Sequence, residues 1–241
     1  MTTPNNQEAA IYRDIPRVDA ALIASLHGLT VADLHDALPP AARSAALLDQ
    51  SIRIMTPGLR TVGQAVTALC APNDSLMAHC ALYVARRGDV LVISNGGAPI
   101  GALWGGNVAY DAKAVGVAGA VVEAPIRDVA FIRELQFPVW ANAVSVSRAE
   151  KHGIGFVNQP VSCGGRIVNP GDIIVADDDG VLCFSPVHIE TLVDRVQQRV
   201  RDERELRKRI ASGARLFETQ NFQELLKAQG IELKDGCWGD K

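Results

Sequence analysis

The chain of 241 residues is 48% hydrophobic and 21% charged, which is enough apolar content to bury a substantial core in one large domain or two small ones. Its net charge of −3 argues against partners that need a concentrated basic surface, namely nucleic acid and anionic membranes. The five cysteines are widely spaced and include no C-x-x-C pair, so neither a disulfide framework nor a zinc site is predicted.

The amino-terminal residues lack the basic and apolar regions of a secretory signal, and no apolar run approaches the ~20 residues of a membrane span. We therefore expect a cytoplasmic protein without a membrane partner. The pattern along the chain divides it into a polar arm at residues 1–16, an α/β core domain at 17–185 and a C-terminal helical extension at 186–241. The extension is expected to pack on the core or on a neighbouring subunit.

The first predicted elements after the arm are two short helices. Apolar residues recur at helical spacing over residues 18–27, and a second helix is predicted over 29–38 with Thr30 as its N-cap. The two prolines that follow are expected to end this helix, and residues 41–50 are predicted to be a connection.

The rest of the chain alternates short apolar runs bounded by turn residues with segments of helical spacing, the pattern of an α/β fold. Strands are predicted at residues 52–55, 63–70, 90–94, 119–123, 137–141, 160–163, 167–168, 173–176 and 181–184, and helices at 76–86, 108–115, 131–135, 187–211 and 224–229.

Three consecutive aspartates, Asp177, Asp178 and Asp179, precede Gly180. A calcium loop spaces its ligands at alternate positions and ends in a glutamate, which this segment does not do. Because Asp-Gly between two apolar strands is a strong hairpin signal, we interpret the triplet as a turn.

Residues 95–107, here called the glycine loop, carry five glycines and lead into the helix predicted at 108–115. Glycines at a helix entrance let backbone N–H groups approach an anion, and the positive end of the helix favours it. A carboxylate or phosphate is therefore expected at Gly106, Asn107 and Val108, the alternative being a purely structural turn. The spacing matches neither Gly-x-Gly-x-x-Gly nor Gly-Lys-Ser/Thr, so a nucleotide is not predicted.

Arg127 and Asp128 directly follow the apolar run that begins at Gly119. If the strands at 90–94 and 119–123 are parallel neighbours, the glycine loop and this pair both follow the carboxyl ends of strands, where ligands bind in open α/β sheets. The pair is then expected to hold a small acid and a metal in a pocket. The alternative is a surface turn whose two charges are solvated.

Several segments in this order and spacing resemble one family, the ribonuclease-activity-regulator-A-like proteins, over residues 25–233. The family includes metal-dependent 4-hydroxy-4-methyl-2-oxoglutarate and 4-carboxy-4-hydroxy-2-oxoadipate aldolases. The segments that carry the resemblance are Thr30-x-x-Asp33-x-x-Asp36-Ala37, Pro57-Gly58, Gly63-x-Ala65-x-Thr67, Gly88-Asp89-Val90-Leu91-Val92, residues 105–116, Arg127-Asp128, Phe137-Pro138-Val139-Trp140, Val168-Asn169-Pro170-Gly171-Asp172 and Ala176-Asp177-Asp178-Asp179-Gly180-Val181.

The resemblance implies a compact α/β sandwich with a swivelling-domain-like β-barrel core flanked by helices, assembled as a homotrimer or a dimer of trimers with active sites between subunits. It also implies that Arg127 and Asp128 bind the pyruvate moiety and a Mg²⁺ or Mn²⁺ ion. The glycine loop, from Gly105 and Gly106 to Asn107 and the following Val108, would hold the pyruvate carboxylate. Glu203 of a neighbouring subunit, or alternatively Glu205, would reach the waters of the metal.

The implied function is a divalent-metal-dependent lyase on a short 2-oxo acid. The metal and Arg127 would stabilise the enolate that forms when the C3–C4 bond of a 4-hydroxy-2-oxo acid breaks, or when oxaloacetate loses CO₂. Two alternatives are open: a non-catalytic regulator that binds a ribonuclease, like one branch of the family, and a related lyase or hydratase acting on a different acid.

Some positions depart from the pattern of the family's aldolases. Those aldolases usually carry an acidic residue at the position of Gly106, where it holds a metal-bound water, and an aliphatic residue at the position of Asn107. Their usual Asp-Gly is replaced by Glu123-Ala124. The departures predict a change in metal affinity, proton transfer or substrate, and Glu123 is either a nearby carboxylate for the site or a solvated side chain.

The segment that contains Asn73, Asp74 and His79 borders the pocket in this family. We interpret His79 as a packed or hydrogen-bonded histidine rather than a base. The other histidines, His35, His152 and His188 among them, show no spacing that predicts a metal cluster.

Overall fold

The computed structural model describes residues 10–238. They fall into two compact units, of which the first ends at Val196 and the second begins at Gln197. Residues 1–9 of the predicted arm lie outside the described residues. Its remaining part belongs to the first unit, where Val157 donates its backbone N–H to the carbonyl of Ala10 and accepts the N–H of Tyr12. Within residues 10–238, no helix is both long and apolar enough to cross a membrane.

The helices and strands of the described residues follow one another in a mixed α/β order. They are α1 (Ala20–Ala24), α2 (Val31–Ala37), α3 (Pro40–Ala46), β1 (Arg53–Ile54), β2 (Thr61–Cys70), α4 (Leu76–Val84), β3 (Val90–Ser94), α5 (Gly106–Val115), β4 (Gly119–Ile126), α6 (Val129–Leu135), β5 (Val139–Val144), β6 (Gly155–Val157), β7 (Val161–Cys163), β8 (Arg166–Val168), β9 (Ile173–Asp177), β10 (Gly180–Phe184), a 3₁₀ turn (Pro186–His188), α7 (Ile189–Ala211), α8 (Leu216–Thr219) and α9 (Phe222–Ala228).

An eight-stranded sheet forms the centre of the first unit. Its strand order is β1-β5-β4-β3-β2-β9-β10, with β6 also paired to β2, while β7 and β8 form a separate hairpin. Strands β2, β3, β4 and β5 are parallel, and β1, β6, β9 and β10 pair antiparallel to their neighbours. The sheet is nearly closed and barrel-like and is flanked by helices, and a C-terminal helix follows. The predicted fold class is confirmed.

Strand β3 shows why its sequence is apolar at every position. Leu91 and Ile93 pack in one core cluster with residues of α4, α5 and α6, while Val90 and Val92 pack in a second cluster. Alternate residues of a strand point to opposite faces, so a strand covered on both faces needs an uninterrupted apolar run. The predicted bounds of this strand, residues 90–94, are confirmed.

Two local interpretations of polar residues are confirmed. Thr30 is the N-cap of α2 and accepts the backbone N–H of Asp33 at 3.0 Å. The aspartate triplet forms the turn between β9 and β10, where Asp177 accepts the backbone N–H of Asp179. Asp177 also accepts the N–H of Val31 at 2.9 Å, so this turn caps a helix as well.

Several segments differ from the prediction, including the following three. The connection predicted at residues 41–50 is wrong, because α3 begins at Pro40, and proline is tolerated at the first position of a helix. Strand β6 was not predicted. Strand β4 continues through Pro125 to Ile126, where a register shift against β5 accommodates a residue that has no N–H to donate.

Candidate active site

The candidate site lies where two parallel strands end. Strands β3 and β4 are parallel neighbours, with Ser94 opposite Glu123, so the glycine loop and the Arg127-Asp128 pair both follow the same edge of the sheet. The predicted pairing of these strands is therefore confirmed. The carboxyl edge of a parallel sheet is the usual place for a ligand in such folds.

Backbone hydrogen bonds fasten the end of the glycine loop to β4. Leu103 donates its N–H to the carbonyl of Pro125 at 3.0 Å, and Arg127 donates its N–H to the carbonyl of Trp104 at 3.0 Å. On the other side, Ala102 donates to the carbonyl of Ser147 at 2.7 Å. The loop thus runs like an additional strand beside the end of β4, which fixes the entrance of α5 against Arg127 and Asp128.

Asp128 holds its carboxylate against the amino end of α5. Its backbone is left-handed, with φ of 59°, and its Oδ2 atom accepts the backbone N–H of Gly106 at 3.0 Å. The Nε atom of Arg127 lies 3.6 Å from the same oxygen, and the two side chains are 40% and 49% exposed. Both charged groups are therefore anchored yet open to a ligand.

The two adjacent glycines permit this close approach. A Cβ atom at Gly105 would lie 3.1 Å from Oδ2 of Asp128, and one at Gly106 would lie 2.9 Å from Cδ1 of Phe131. The N-cap residue of α5 contributes no side-chain hydrogen bond, and within the described residues the N–H groups of Asn107 and Val108 have no partner. These two donors remain available to an anion.

A cavity of about 330 Å³ opens between these groups. Its wall includes the end of the glycine loop, Arg127 and Asp128, together with His79 of α4 and two further cations, Arg148 and Lys151. Among the described residues that line it, Asp128 is the only carboxylate. The cavity therefore favours a ligand with more than one negative charge.

Arg148 and Lys151 belong to residues 145–154, here called the cationic loop, which contain no helix or regular strand. No local pattern predicted that these two residues would reach the site. Their placement depends on Asp74, whose buried carboxylate accepts backbone N–H groups of the same loop. Because those donors lie 78 or more positions further along the chain, only the folded chain brings them together.

His79 lies on the cavity wall and is half buried, and within the described residues its imidazole has no hydrogen-bond partner. Burial lowers the pKa of this imidazole, the nearby cation Lys151 lowers it further, and Asp111 acts in the opposite direction. The side chain is therefore neutral at neutral pH, and it contacts the cavity rather than being enclosed in the core.

The structure brings most of the predicted site residues together around one cavity: Gly105, Gly106, Asn107, Val108, Arg127 and Asp128. Glu123 does not join them, because its carboxylate accepts the hydroxyl of Ser94 at 2.6 Å and the N–H of Gly164 at 2.9 Å. It is neither a ligand facing the cavity nor a freely solvated side chain.

Glu203 lies on α7 in the second unit and pairs with Arg199 and Arg207 one turn away on either side. Glu205 is bound by Lys208 at 2.7 Å. The predicted role of either glutamate in a neighbouring subunit stays a prediction.

The donor set of the cavity fits a magnesium-like ion held largely by ligands other than protein. Within the described residues, no three His, Cys, Asp or Glu side chains are grouped as metal ligands. Mg²⁺ commonly takes one or two carboxylates and fills its other positions with water and substrate oxygens. The carboxylate of Asp128, which is 49% exposed and lines a cavity open to water and to a ligand, could supply one such ligand.

Comparison with known proteins identifies a matching family. The family described as RraA-like, Aldolase/RraA, matches residues 31–183. A protein of Halalkalibacterium halodurans, provisionally named 4-hydroxy-4-methyl-2-oxoglutarate aldolase, is 36% identical over 165 residues, which cover 68% of this chain and 78% of that protein.

Two solved structures have a similar fold. One is RraAS2 of Streptomyces coelicolor, described as an unusual member of the RNase ES inhibitor RraA family, with a TM-score of 0.71 and 28% identity over 80% of this chain and 98% of that one. The other is the RNA-processing inhibitor RraA from Thermus thermophilis, with a TM-score of 0.54 and 31% identity over 58% of this chain and 84% of that one.

Proposed function

The chain belongs to the RraA-like, Aldolase/RraA family, and we propose that it is a divalent-metal-dependent lyase that releases pyruvate from a short 2-oxo acid. The reaction is aldol cleavage of a 4-hydroxy-2-oxo dicarboxylate or tricarboxylate, decarboxylation of oxaloacetate, or both. One observation carries the proposal: Arg127 and Asp128 share a cavity with the N–H groups of Asn107 and Val108, which have no partner among residues 10–238.

In the proposed reaction, the N–H groups of Asn107 and Val108 bind the carboxylate next to the 2-oxo group. The guanidinium of Arg127 then faces the 2-oxo oxygen and stabilises the negative charge that develops there as the C3–C4 bond breaks. Asp128 holds Mg²⁺ or Mn²⁺, which when bound supplies Lewis-acid stabilisation of the same charge. In aldol cleavage, the proton of the C4 hydroxyl passes to a polarised water molecule in the cavity as C4 becomes a carbonyl carbon, and a proton returned from water to C3 of the enolate gives pyruvate.

The charges of the cavity support a substrate with a second acidic group. Arg127, Arg148 and Lys151 line the cavity, and Asp128 offsets one of these three positive charges. A monocarboxylate bound at the amino end of α5 would leave Arg148 and Lys151 without an anion. A second carboxylate at the distal end of the acid would pair with them.

We further propose that the protein assembles as a homotrimer or a dimer of trimers, with Glu203 of one subunit completing the site of the next. Exposed apolar side chains within four positions of residues that line the cavity support an interface there: Ile100 is 50% exposed, Val144 59% and Val146 94%. Exposed apolar residues grouped around a polar site are typical of a surface that another chain covers.

The test is a coupled pyruvate assay over a panel of 4-hydroxy-2-oxo acids and oxaloacetate, with Mg²⁺, with Mn²⁺ and after chelation. We expect metal-dependent release of pyruvate that is lost in Asp128→Ala. Asp194→Ala is the matched control, since Asp194 is an exposed residue of α7 that does not line the cavity. Undiminished release by Asp128→Ala would refute the proposal.

A second candidate function is regulation of a ribonuclease, and the absence of a side chain at Gly106 favours it. The family's aldolases usually carry an acidic residue at that position. One structural neighbour is described as an RNA-processing inhibitor, and another as an unusual member of a ribonuclease-inhibitor family. Inhibition of a ribonuclease by the purified protein, together with no turnover of any acid in the panel, would favour this function. Turnover of a different acid would instead indicate a related lyase or hydratase.

A further inference from the structure

Asp74 is a buried carboxylate that lies outside the cavity and is bound entirely by backbone groups. It is 2% exposed. Its Oδ1 atom accepts the N–H of Leu76 at 2.9 Å, and its Oδ2 atom accepts those of His152, Gly153 and Ile154 at 2.9, 2.8 and 3.3 Å. A buried charge is tolerated only when it is paired or fully hydrogen-bonded, and four donors meet that requirement.

These bonds join the start of α4 to the cationic loop. The backbone adds to the same junction: Glu150 donates its N–H to the carbonyl of Asn73 at 2.8 Å, and Ser75 donates its N–H to the carbonyl of Glu150 at 2.8 Å. Lys151 directly precedes His152, the first residue of the loop that Asp74 binds, and Arg148 lies four positions before His152. The carboxylate therefore fixes the backbone from which both cations project.

The same short segment also touches the glycine loop. A Cβ atom at Gly101 would lie 2.7 Å from Cα of Asn73, and the backbone of Asn73 is left-handed with φ of 62°. The turn that contains Asn73 and Asp74 thus contacts both loops whose residues form the cavity wall. A shift of this turn would change the distance between the amino end of α5 and the two cations.

We propose that Asp74 is a positioning residue that sets the cationic loop at the distance required by a second carboxylate of the substrate. The proposal rests on the proposed function for the identity of the substrate, a 2-oxo acid with a distal acidic group. Asp74 does not touch the substrate. It acts through Arg148 and Lys151, whose placement relative to α5 decides between acids with one and with two carboxylates.

The experiment compares two acids that differ by the distal carboxylate. Pyruvate has none, whereas 2-oxoglutarate has one and lacks the 4-hydroxyl group needed for cleavage. Their dissociation constants are measured by calorimetry, in the presence of Mg²⁺, for the wild type and for Asp74→Asn. We expect the wild type to bind 2-oxoglutarate on the order of tenfold more tightly than pyruvate, and the variant to lose most of that ratio with little change for pyruvate.

Arg148→Gln should lose the same preference, and the double variant Asp74→Asn/Arg148→Gln should lose no more than the single variants, because residues that act through one another are not additive. Asp89→Asn is the matched control. Asp89 is also a 2% exposed carboxylate, bound by Arg17 and by the N–H of Arg86, and it does not line the cavity. This control should lower stability without changing the preference.

The outcomes separate this inference from the proposed function. If Asp74→Asn weakens the binding of both acids equally, or changes the binding of neither, Asp74 is a structural residue only and the inference is wrong. If the preference is lost as expected but the wild type cleaves no acid of the panel, the positioning role stands and the lyase proposal fails. Failure of the wild type to bind either acid would overturn both.

Discussion

Asp128 provides a fixed carboxylate and leaves N–H donors available to a ligand, because it follows a parallel strand and faces the amino end of a helix. Its Oδ2 atom accepts the N–H of Gly106. The next two N–H groups of α5, those of Asn107 and Val108, have no partner within the described residues. A carboxylate at the positive end of a helix is stabilised by the helix dipole. The anchor holds the acid group in place without consuming the donors that a substrate carboxylate needs.

Replacing Arg127 with lysine should lower kcat by about 10²-fold, because lysine keeps the charge but loses the planar set of donors that faces the developing oxyanion. The measurement is steady-state kinetics with the best acid of the panel. Arg13→Lys, in the exposed part of the arm, should leave kcat unchanged. An unchanged kcat in Arg127→Lys would show that positive charge alone is sufficient.

Lys151→Gln should raise the pKa of His79, because it removes the cation that, after burial, lowers that pKa. The change is measured by NMR titration of the histidine ring protons. Lys113→Gln, on the exposed surface of α5, serves as the control for a general loss of positive charge. An unchanged pKa of His79 in Lys151→Gln would mean that Lys151 does not approach the imidazole in solution.

The pKa of Asp74 is set by two opposed effects. Burial raises it, but the four backbone N–H groups outweigh burial, so it lies below the ordinary value of 3.8. The carboxylate therefore stabilises the fold above pH 3.8, and this contribution is lost as the pH falls through the folded-state pKa.

The free energy of unfolding should accordingly be lower in Asp74→Asn than in the wild type by about 1–3 kcal/mol at pH 6, where the wild-type carboxylate is charged and fully bound. The difference should shrink once the pH falls below 3.8. Urea denaturation at a series of pH values measures it. A difference in the free energy of unfolding that stays constant down to pH 3 would contradict a stabilising role of the charged Asp74 carboxylate.

At the scale of elements, sequence reasoning succeeded where a local pattern determines the structure. The bounds of β3 follow from an apolar run covered on both faces, and the N-cap of α2 from the side chain of Thr30. Helix α3 was not predicted, because the two consecutive prolines there were interpreted as the end of a helix, although the second proline begins the next one. The positions of Arg148 and Lys151 could not be predicted, since an irregular loop has no periodicity and its anchor is distant in sequence.

The packing of α5 against α6 predicts the effect of restoring an acidic residue at position 106. In Gly106→Asp the new Cβ atom would lie 2.9 Å from Cδ1 of Phe131, which must move. We expect a loss of about 1–3 kcal/mol in the free energy of unfolding, measured by urea denaturation. Phe131 is 44% exposed, so truncating its ring removes the clash at modest cost.

The double variant Gly106→Asp/Phe131→Ala should therefore be more stable than the sum of the two single changes predicts. The single variant Phe131→Ala provides the reference. Strict additivity of the two changes would show that the ring does not limit what position 106 accepts. In that case, the glycine at this position has no explanation in the packing of the two helices.

At the scale of the whole molecule, the sheet explains where the site is, but not how many chains complete it. The parallel strands from β2 to β5 could be expected from the alternation of helices and strands, and they place two loops at one edge. The contribution of Glu203 depends on a second copy of the chain. Nothing in a single sequence specifies that contact, so the assembly was inferred from family resemblance alone.

Mixing two inactive variants tests the shared site. If Glu203 acts in the cavity of a neighbouring subunit, Asp128→Ala and Glu203→Gln subunits should each be inactive alone but active when co-expressed with different tags and purified as a hybrid. In a randomly mixed cyclic trimer, about a quarter of the sites would pair a native Asp128 with a native Glu203. Pyruvate release should recover to about that fraction of the wild-type rate.

A hybrid of Asp128→Ala with Arg127→Ala subunits is the control, because both changes lie on one chain's side of the cavity and no mixed site regains both residues. Recovery in neither hybrid would show that Glu203 does not act in the cavity of a neighbouring subunit, whereas full activity of Glu203→Gln alone would leave Asp128 as the one carboxylate that the reaction needs.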